Sequence, residues 1–287
     1  MKTNLLFLSI LIYTAFSRFW SIDSIPPIIN STVALRVFSA ISSIGSVIVI
    51  LFYFKDLSKR SKIGLLSAWV YSVLPWTLEQ GRIVSQPNIA LFIFLLALFK
   101  VKKIIRISSR IALCFLFLLG LYIVYPQLWL FRTNQLIFPH LDYLRNICTL
   151  ISADFLFFNN NTFWWGGIKE SGVMFISFLP FFIIGIYKLI IQSEWKIFFW
   201  LGLIFLISFT SPYFPESREF FLAIPFICYF IAIGIDRFFR FQKNSERIIF
   251  LIMLLLIIYD LSQLSHYYFV HYPQQILSNT DKINVSF

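Results

Sequence analysis

The chain has 287 residues, of which 59% are hydrophobic and only 13% charged, and its mean hydropathy is +0.81. A soluble domain carries roughly 25% charged residues, so there are too few polar side chains here to coat a globular core. The net charge of +11 does not mark a nucleic-acid binder, because no basic face interleaved with polar base-reading residues occurs, and it fits a membrane protein whose lysines and arginines collect in cytoplasmic loops.

Apolar runs near the ~20 residues needed to cross a bilayer predict an all-α, multi-pass transmembrane bundle of about nine helices. They fall at 4–20, 32–54, 63–78, 88–101, 108–131, 172–192, 195–211, 219–235 and 247–265. None alternates apolar and polar residues as barrel strands do. The first run, with Lys2 ahead of it and the small residues Ala15 and Ser17 near its end, also fits the pattern of a signal peptide. On this reading 1–265 is the polytopic domain, 132–171 its outer segment, and 266–287 an extracytoplasmic C-terminal tail.

Placing the N-terminus in the cytoplasm assigns 16 of the 24 lysines and arginines to that side, from Lys2 through Lys55, Lys59, Arg60 and Lys62 to Arg247. The other side receives Arg18, Arg36, Arg82, Arg132, Arg145, Lys169, Arg218 and Lys282. This is the asymmetry expected of membrane-protein loops. It puts the C-terminal tail outside.

The stretch SVLPWTLEQGRIVSQPNIALF, 72–92, interrupts the apolar text. Pro75 ends one helix and Pro87 starts the next, since proline is tolerated in a first turn and not inside a helix. Trp76 suits a membrane interface. Taken alone, the stretch reads as a wet outer turn in which Glu79 and Arg82, three apart, form a solvated pair.

Within 132–171, HLDYLRNICTLI places Leu141, Leu144, Ile147, Cys148 and Ile151 on one helical face, a pattern suited to a helix lying on the membrane. NNNTFWWGG then breaks that helix with turn formers and aromatics. Asn30, Asn160 and Asn284 each begin an Asn-x-Ser/Thr triplet, a pattern frequent by chance. The cysteines Cys114, Cys148 and Cys228 form no CxxC pair. The histidines His140, His266 and His271 lie outside metal-ligand spacing. No metal site and no cofactor-binding pattern emerge.

Several segments together resemble a known family. LRVFSAISSIGSVIVILFYFKDL (35–57), the Pro-Trp turn with its Arg and Asn (74–98), SADFLFFNNNTFWWGG with the helix after it (152–191), SREFFLAIPFICYFIAIGI (217–235) and YFVHYP (268–273) are similar, in order, to parts of the polytopic GT-C glycosyltransferases. These are the relatives of protein O-mannosyltransferases and the aminoarabinose transferase of lipid A. The resemblance implies transfer of a sugar from a polyprenyl-phosphate donor to an acceptor at the extracytoplasmic face of the cell envelope. A carboxylate would serve as base, and basic residues would hold the leaving phosphate.

The chain departs from the family where the family's chemistry is concentrated. The long first outer loop with its Asp-Glu pair is missing, since only 28–33 separate SRFWSIDSIPP from ALRVF. Asp23 does not match the catalytic position, and Gln86 stands where relatives carry a second acid. The resemblance leaves Arg36, Arg82 and Arg218 as candidate lipid-phosphate ligands and Glu79 and Glu216 as candidate replacement bases. The alternatives for each arginine are phosphate ligand and snorkelling anchor. The partners implied are a polyprenyl-phosphate-linked sugar, membrane lipid and a partner membrane subunit able to supply the missing loop. A non-catalytic relative that keeps the scaffold and a lipid-phosphate cleft is the second reading. A transporter fits less well, because only Asp260 lies within a late helix and no repeat symmetry is present.

Overall fold

The computed structural model describes residues 2–23, 33–83, 85–103, 148–149, 152–158, 172–208, 220–238 and 244–274. Among these residues every regular element is helical. The long ones are α1 (Lys2–Phe19), α2 (Val33–Ser58), α3 (Ser61–Val73), α5 (Gln86–Lys103), α6 (Leu179–Ile191), α7 (Trp195–Ser208), α8 (Ile224–Phe238) and α9 (Asn244–His266). The short α4 (Pro75–Gln80) follows α3, and 3-10 turns at Ile176–Phe178 and Phe221–Ala223 lead into α6 and α8. Eight of the nine expected spans therefore overlap a helix, and 108–131 lies outside the described residues.

Length separates these helices. Three are long and apolar enough to cross a membrane, at Val33–Ser58, Phe221–Phe238 and Ile248–Gln274. The others correct the sequence expectation. The run expected at 63–78 breaks at Leu74, whose extended backbone is what a following proline imposes. Pro75 then opens α4 in its first turn. The 13 residues of α3 cover only about 20 Å, against a hydrocarbon core of ~30 Å. The two spans expected at 172–192 and 195–211 form instead one helix pair bent by 120°, which passes the length test only when taken together.

Tight turns join the helices. Lys59 and Ser193, both at φ 55°, and Ser21 at φ 50° end α2, α6 and the α1 region in the left-handed conformation that stops a helix. Gly64 lets α3 fold back on α2, since a Cβ there would stand 2.4 Å from the carbonyl oxygen of Leu51.

α3 lies at the centre, touching α1, α2 and α8; α5 lies on α2, and α6 on α8. α8 is apolar all round and 89% of its span is buried, the pattern of a core helix. Phe54 of α2 stacks on Tyr229 of α8 at 4.5 Å. α9 is the opposite case, with 11% of its span buried and a long row of exposed residues from Ile248 to Tyr259. One anchor of α9 is Asp260, whose Oδ2 accepts from the backbone N–H of Ser177 at 3.3 Å. That places a carboxylate at the amino end of the α6 segment, where the helix dipole favours it, and gives this acid a structural role.

At the lysine-bearing end of α2, Arg60 meets Asp236 at 3.5 Å, with the arginine side chain 46% exposed. A half-exposed pair contributes about 1 kcal/mol or less. Arg60→Ala is therefore expected to leave thermal unfolding in detergent nearly unchanged; a large drop would mean that this pair clamps α3 to α8.

Candidate functional site

The opposite end of the bundle, where α1 finishes and α2 begins, gathers the polar residues of 72–92. The wet turn expected there is in fact buried. Thr77, Glu79 and Arg82 are fully buried, and Gln80 is 2% exposed. Trp76 does not sit at an interface; it is buried and packs edge-on against Phe221 at 5.1 Å. The cause is topological. The kink at Leu74 turns α4 inward under the end of α1, so residues that would face water are roofed by other segments.

Arg82 reaches across to the open end of α1. It donates through Nη1 to the carbonyl of Ser17 at 2.7 Å, and through Nη2 to those of Trp20 and Ser21. The Ser17 carbonyl is one of those that a helix leaves without an internal partner at its end, and Trp20 and Ser21 follow directly after α1. The guanidinium also lies 5.5 Å from the Tyr268 ring and 5.3 Å from the Phe269 ring, within cation–π range. Arg18, fully buried, donates to the Ser17 hydroxyl, to the Ser72 carbonyl at 2.9 Å and to the Thr77 hydroxyl at 3.2 Å. Arg36, 2% exposed, donates to the Ile22 carbonyl at 3.0 Å. Arg18 and Arg82 share Ser17, one donating to its hydroxyl and the other to its carbonyl, while Arg82 and Arg36 hold the successive carbonyls of Ser21 and Ile22.

Glu79 is the buried carboxylate of this group, and its Oε1 accepts from the Tyr272 hydroxyl at 2.8 Å. Beside it, Asn88 donates to the carbonyl of Ser39 at 2.7 Å and to its hydroxyl at 3.0 Å. The Ser39 hydroxyl donates to the carbonyl of Gln80 at 3.0 Å. Ser85 caps α5, accepting from the N–H of Asn88 at 3.2 Å, as a serine preceding a first turn does. Gly81 leaves room for this network, since a Cβ there would lie 2.9 Å from the Ser43 hydroxyl and 3.1 Å from Arg18 Cγ.

Two features give the cluster chemical potential. Three guanidiniums gather where α1 ends, each donating to a backbone carbonyl there. Several buried donors also lack acceptors among the described residues: Arg18 Nε, Trp76 Nε1, Gln80 Nε2 and the Tyr268 hydroxyl. Buried donors are rarely left so. Oxygens of an anion would satisfy these donors, whereas the buried Oδ1 of Asn88, without a donor among the described residues, calls for the opposite kind of partner.

Of the residues singled out in the sequence, Arg36, Arg82 and Glu79 are brought together, while Arg218 and Glu216 lie outside the described residues. The sequence did not single out Arg18, Tyr268 or Tyr272. The two tyrosines were assigned to an outer tail from 266; the chain there continues as a wide helical turn, Tyr267–His271, and stays helical to Gln274. Arg18 had one available signal, its position at the same helix end as Arg36 and Arg82 in the charge tally.

Glycosyltransferase kinship is not traced by comparison with known proteins: no protein-family model matches the chain, and no curated protein or solved structure matches it.

Proposed function

We propose that this chain is a polytopic membrane protein of GT-C glycosyltransferase type that holds the phosphate of a polyprenyl-phosphate-linked sugar at its arginine-rich end. The observation that carries the reading is the convergence of Arg18, Arg36 and Arg82 around the buried end of α1, with the buried Glu79 nearby on α4, bonded to Tyr272. A phosphate would bring oxygens for the buried donors Arg18 Nε, Trp76 Nε1 and Gln80 Nε2. Arginine is the residue suited to that role, because its planar fork matches phosphate oxygens. In the charge-based orientation this end faces out of the cell, where a lipid-linked donor would present its sugar.

Glu79 is the proposed base. It would take the proton of the acceptor hydroxyl as that oxygen attacks the anomeric carbon, while the arginines receive the charge growing on the leaving phosphate. A second reading, a non-catalytic lipid-binding protein on the same scaffold, is favoured by one observation: Glu79 is fully buried and engaged by Tyr272, the posture of a structural carboxylate.

Binding and turnover separate the two. Purified protein in nanodiscs is expected to bind polyprenyl phosphate, and Arg36→Gln to weaken it roughly tenfold or more, since a charge-assisted hydrogen bond is worth about 1.5–3 kcal/mol. With radiolabelled polyprenyl-phosphate sugars, Glu79→Gln is expected to abolish transfer while binding persists. Binding without transfer by the wild type would establish the second reading, and absence of binding would overturn both.

A further inference from the structure

His266 and His271 are five residues apart. In an α-helix of 3.6 residues per turn the second side chain would point about 140° away from the first. The structure brings them together, because α9 gives way to the wide turn Tyr267–His271. Bonding from i to i+5 puts more residues in each turn and returns His271 to the face of His266. Their Nε2 atoms stand 3.2 Å apart, both side chains are exposed, and the rings cross at 81°.

Two imidazole nitrogens this close either share a proton or flank a metal ion. On a tetrahedral ion with metal–nitrogen bonds of about 2.0–2.1 Å, two ligand nitrogens lie about 3.3 Å apart. The observed separation therefore needs almost no adjustment to admit an ion. Each ring meets the other through Nε2, so each Nδ1 is left for water or a backbone carbonyl, the usual support of a histidine ligand. We propose that His266 and His271 form a two-histidine site for a divalent transition ion of the zinc class. No group of three or more His, Cys, Asp or Glu forms among the described residues, so water completes the ion's coordination.

The location gives the site a consequence. Tyr268 lies in this turn and Tyr272 directly follows it, the first beneath Arg82 and the second bonded to Glu79. A bound ion ties His266 to His271 and so holds the wide turn in place. Reversion to ordinary helical spacing would move the two histidines apart and rotate both tyrosines off the cluster. The ion thereby stabilises the wall of the arginine-rich end without touching it.

The test uses tag-free protein stripped of metal in detergent and titrated with Zn2+ and Ni2+ by equilibrium dialysis. One equivalent is expected to bind. His266→Ala and His271→Ala should each weaken binding by more than the roughly 10–100-fold that loss of an outer-shell partner costs, and His140→Ala should not. Zn2+ should also raise the Tm of the wild type, by mass action on the folded state, and not that of the double variant. Both histidines are exposed, so neither substitution disturbs the interior. Undiminished binding by the double variant, or no stoichiometric binding by the wild type, would overturn the proposal; lipid binding is not a readout here, so its fate is judged separately.

Discussion

Arg82→Ala is expected to destabilise the protein by on the order of 2–5 kcal/mol, the cost of stripping the donors from several buried carbonyls at once. The side chain bridges the carbonyls of Ser17, Trp20 and Ser21 and lies against Tyr268 and Phe269. Its removal leaves the end of α1 with buried acceptors, each costing about 1–3 kcal/mol when unsatisfied, and opens a space beneath the last helix. Arg82→Lys restores the charge but not the planar fork, so it should recover only part of the loss. Thermal unfolding in detergent is the measurement. An Arg82→Ala protein that melts like the wild type would show that α1 is fastened to the bundle by other contacts, and the arginine would then be free for a ligand-binding role alone.

The second large effect belongs to α6 and α8. These helices approach so closely that a Cβ at Gly185 would stand 1.9 Å from the carbonyl oxygen of Phe230, and one at Gly234 would stand 2.0 Å from that of Phe181. Each obstacle is backbone, which cannot rotate aside. Alanine at either position must push the helices about 1.4 Å apart to restore an ordinary carbon–oxygen contact. Overpacking of this kind costs about 1–3 kcal/mol, and since both glycines serve one interface the double variant should unfold the pair. Gly202→Ala is the control. A Cβ there meets nothing within 4 Å, so the better helix propensity of alanine, about 1 kcal/mol, should make it neutral or stabilising. Equal Tm values for Gly185→Ala and Gly202→Ala would refute the close approach. Small residues at helix contacts are how membrane helices gain van der Waals packing where lipid supplies no hydrophobic driving force.

Much of the helical plan is legible in the chain. Apolar runs mark α1, α2, α5, α8 and α9 to within a few residues, because a helix of that composition has one way to satisfy its backbone away from water. Pro75 and Pro87 mark helix starts for a local steric reason. Sequence patterns overstate the number of full spans because hydropathy does not register where a run bends. Leu74 interrupts one apolar stretch, and Ser193 turns another through 120°.

The site was only half legible. Arg36, Arg82 and Glu79 were candidates through the resemblance to the GT-C enzymes, while the residues themselves suggested only a solvated pair at 79 and 82. Their burial was not legible, because it depends on segments far away. Tyr272 is 193 residues from Glu79, and nothing in either neighbourhood encodes the other. Arg18 looked like one more basic residue at a helix end until the kink after α3 carried Ser72 and Thr77 to it. The histidines were set aside on their spacing along the chain, which does not show that a wide turn brings His266 and His271 together.

What the sequence alone determined is the solvent: a composition so apolar commits the chain to helices in a low-dielectric setting and puts its basic residues near their ends. Only the tertiary structure decided which of those ends meet. Helix formation is settled by residues within a few positions of one another, whereas the meeting of three arginines is settled by how kinked helices of unequal length pack, which no local pattern contains.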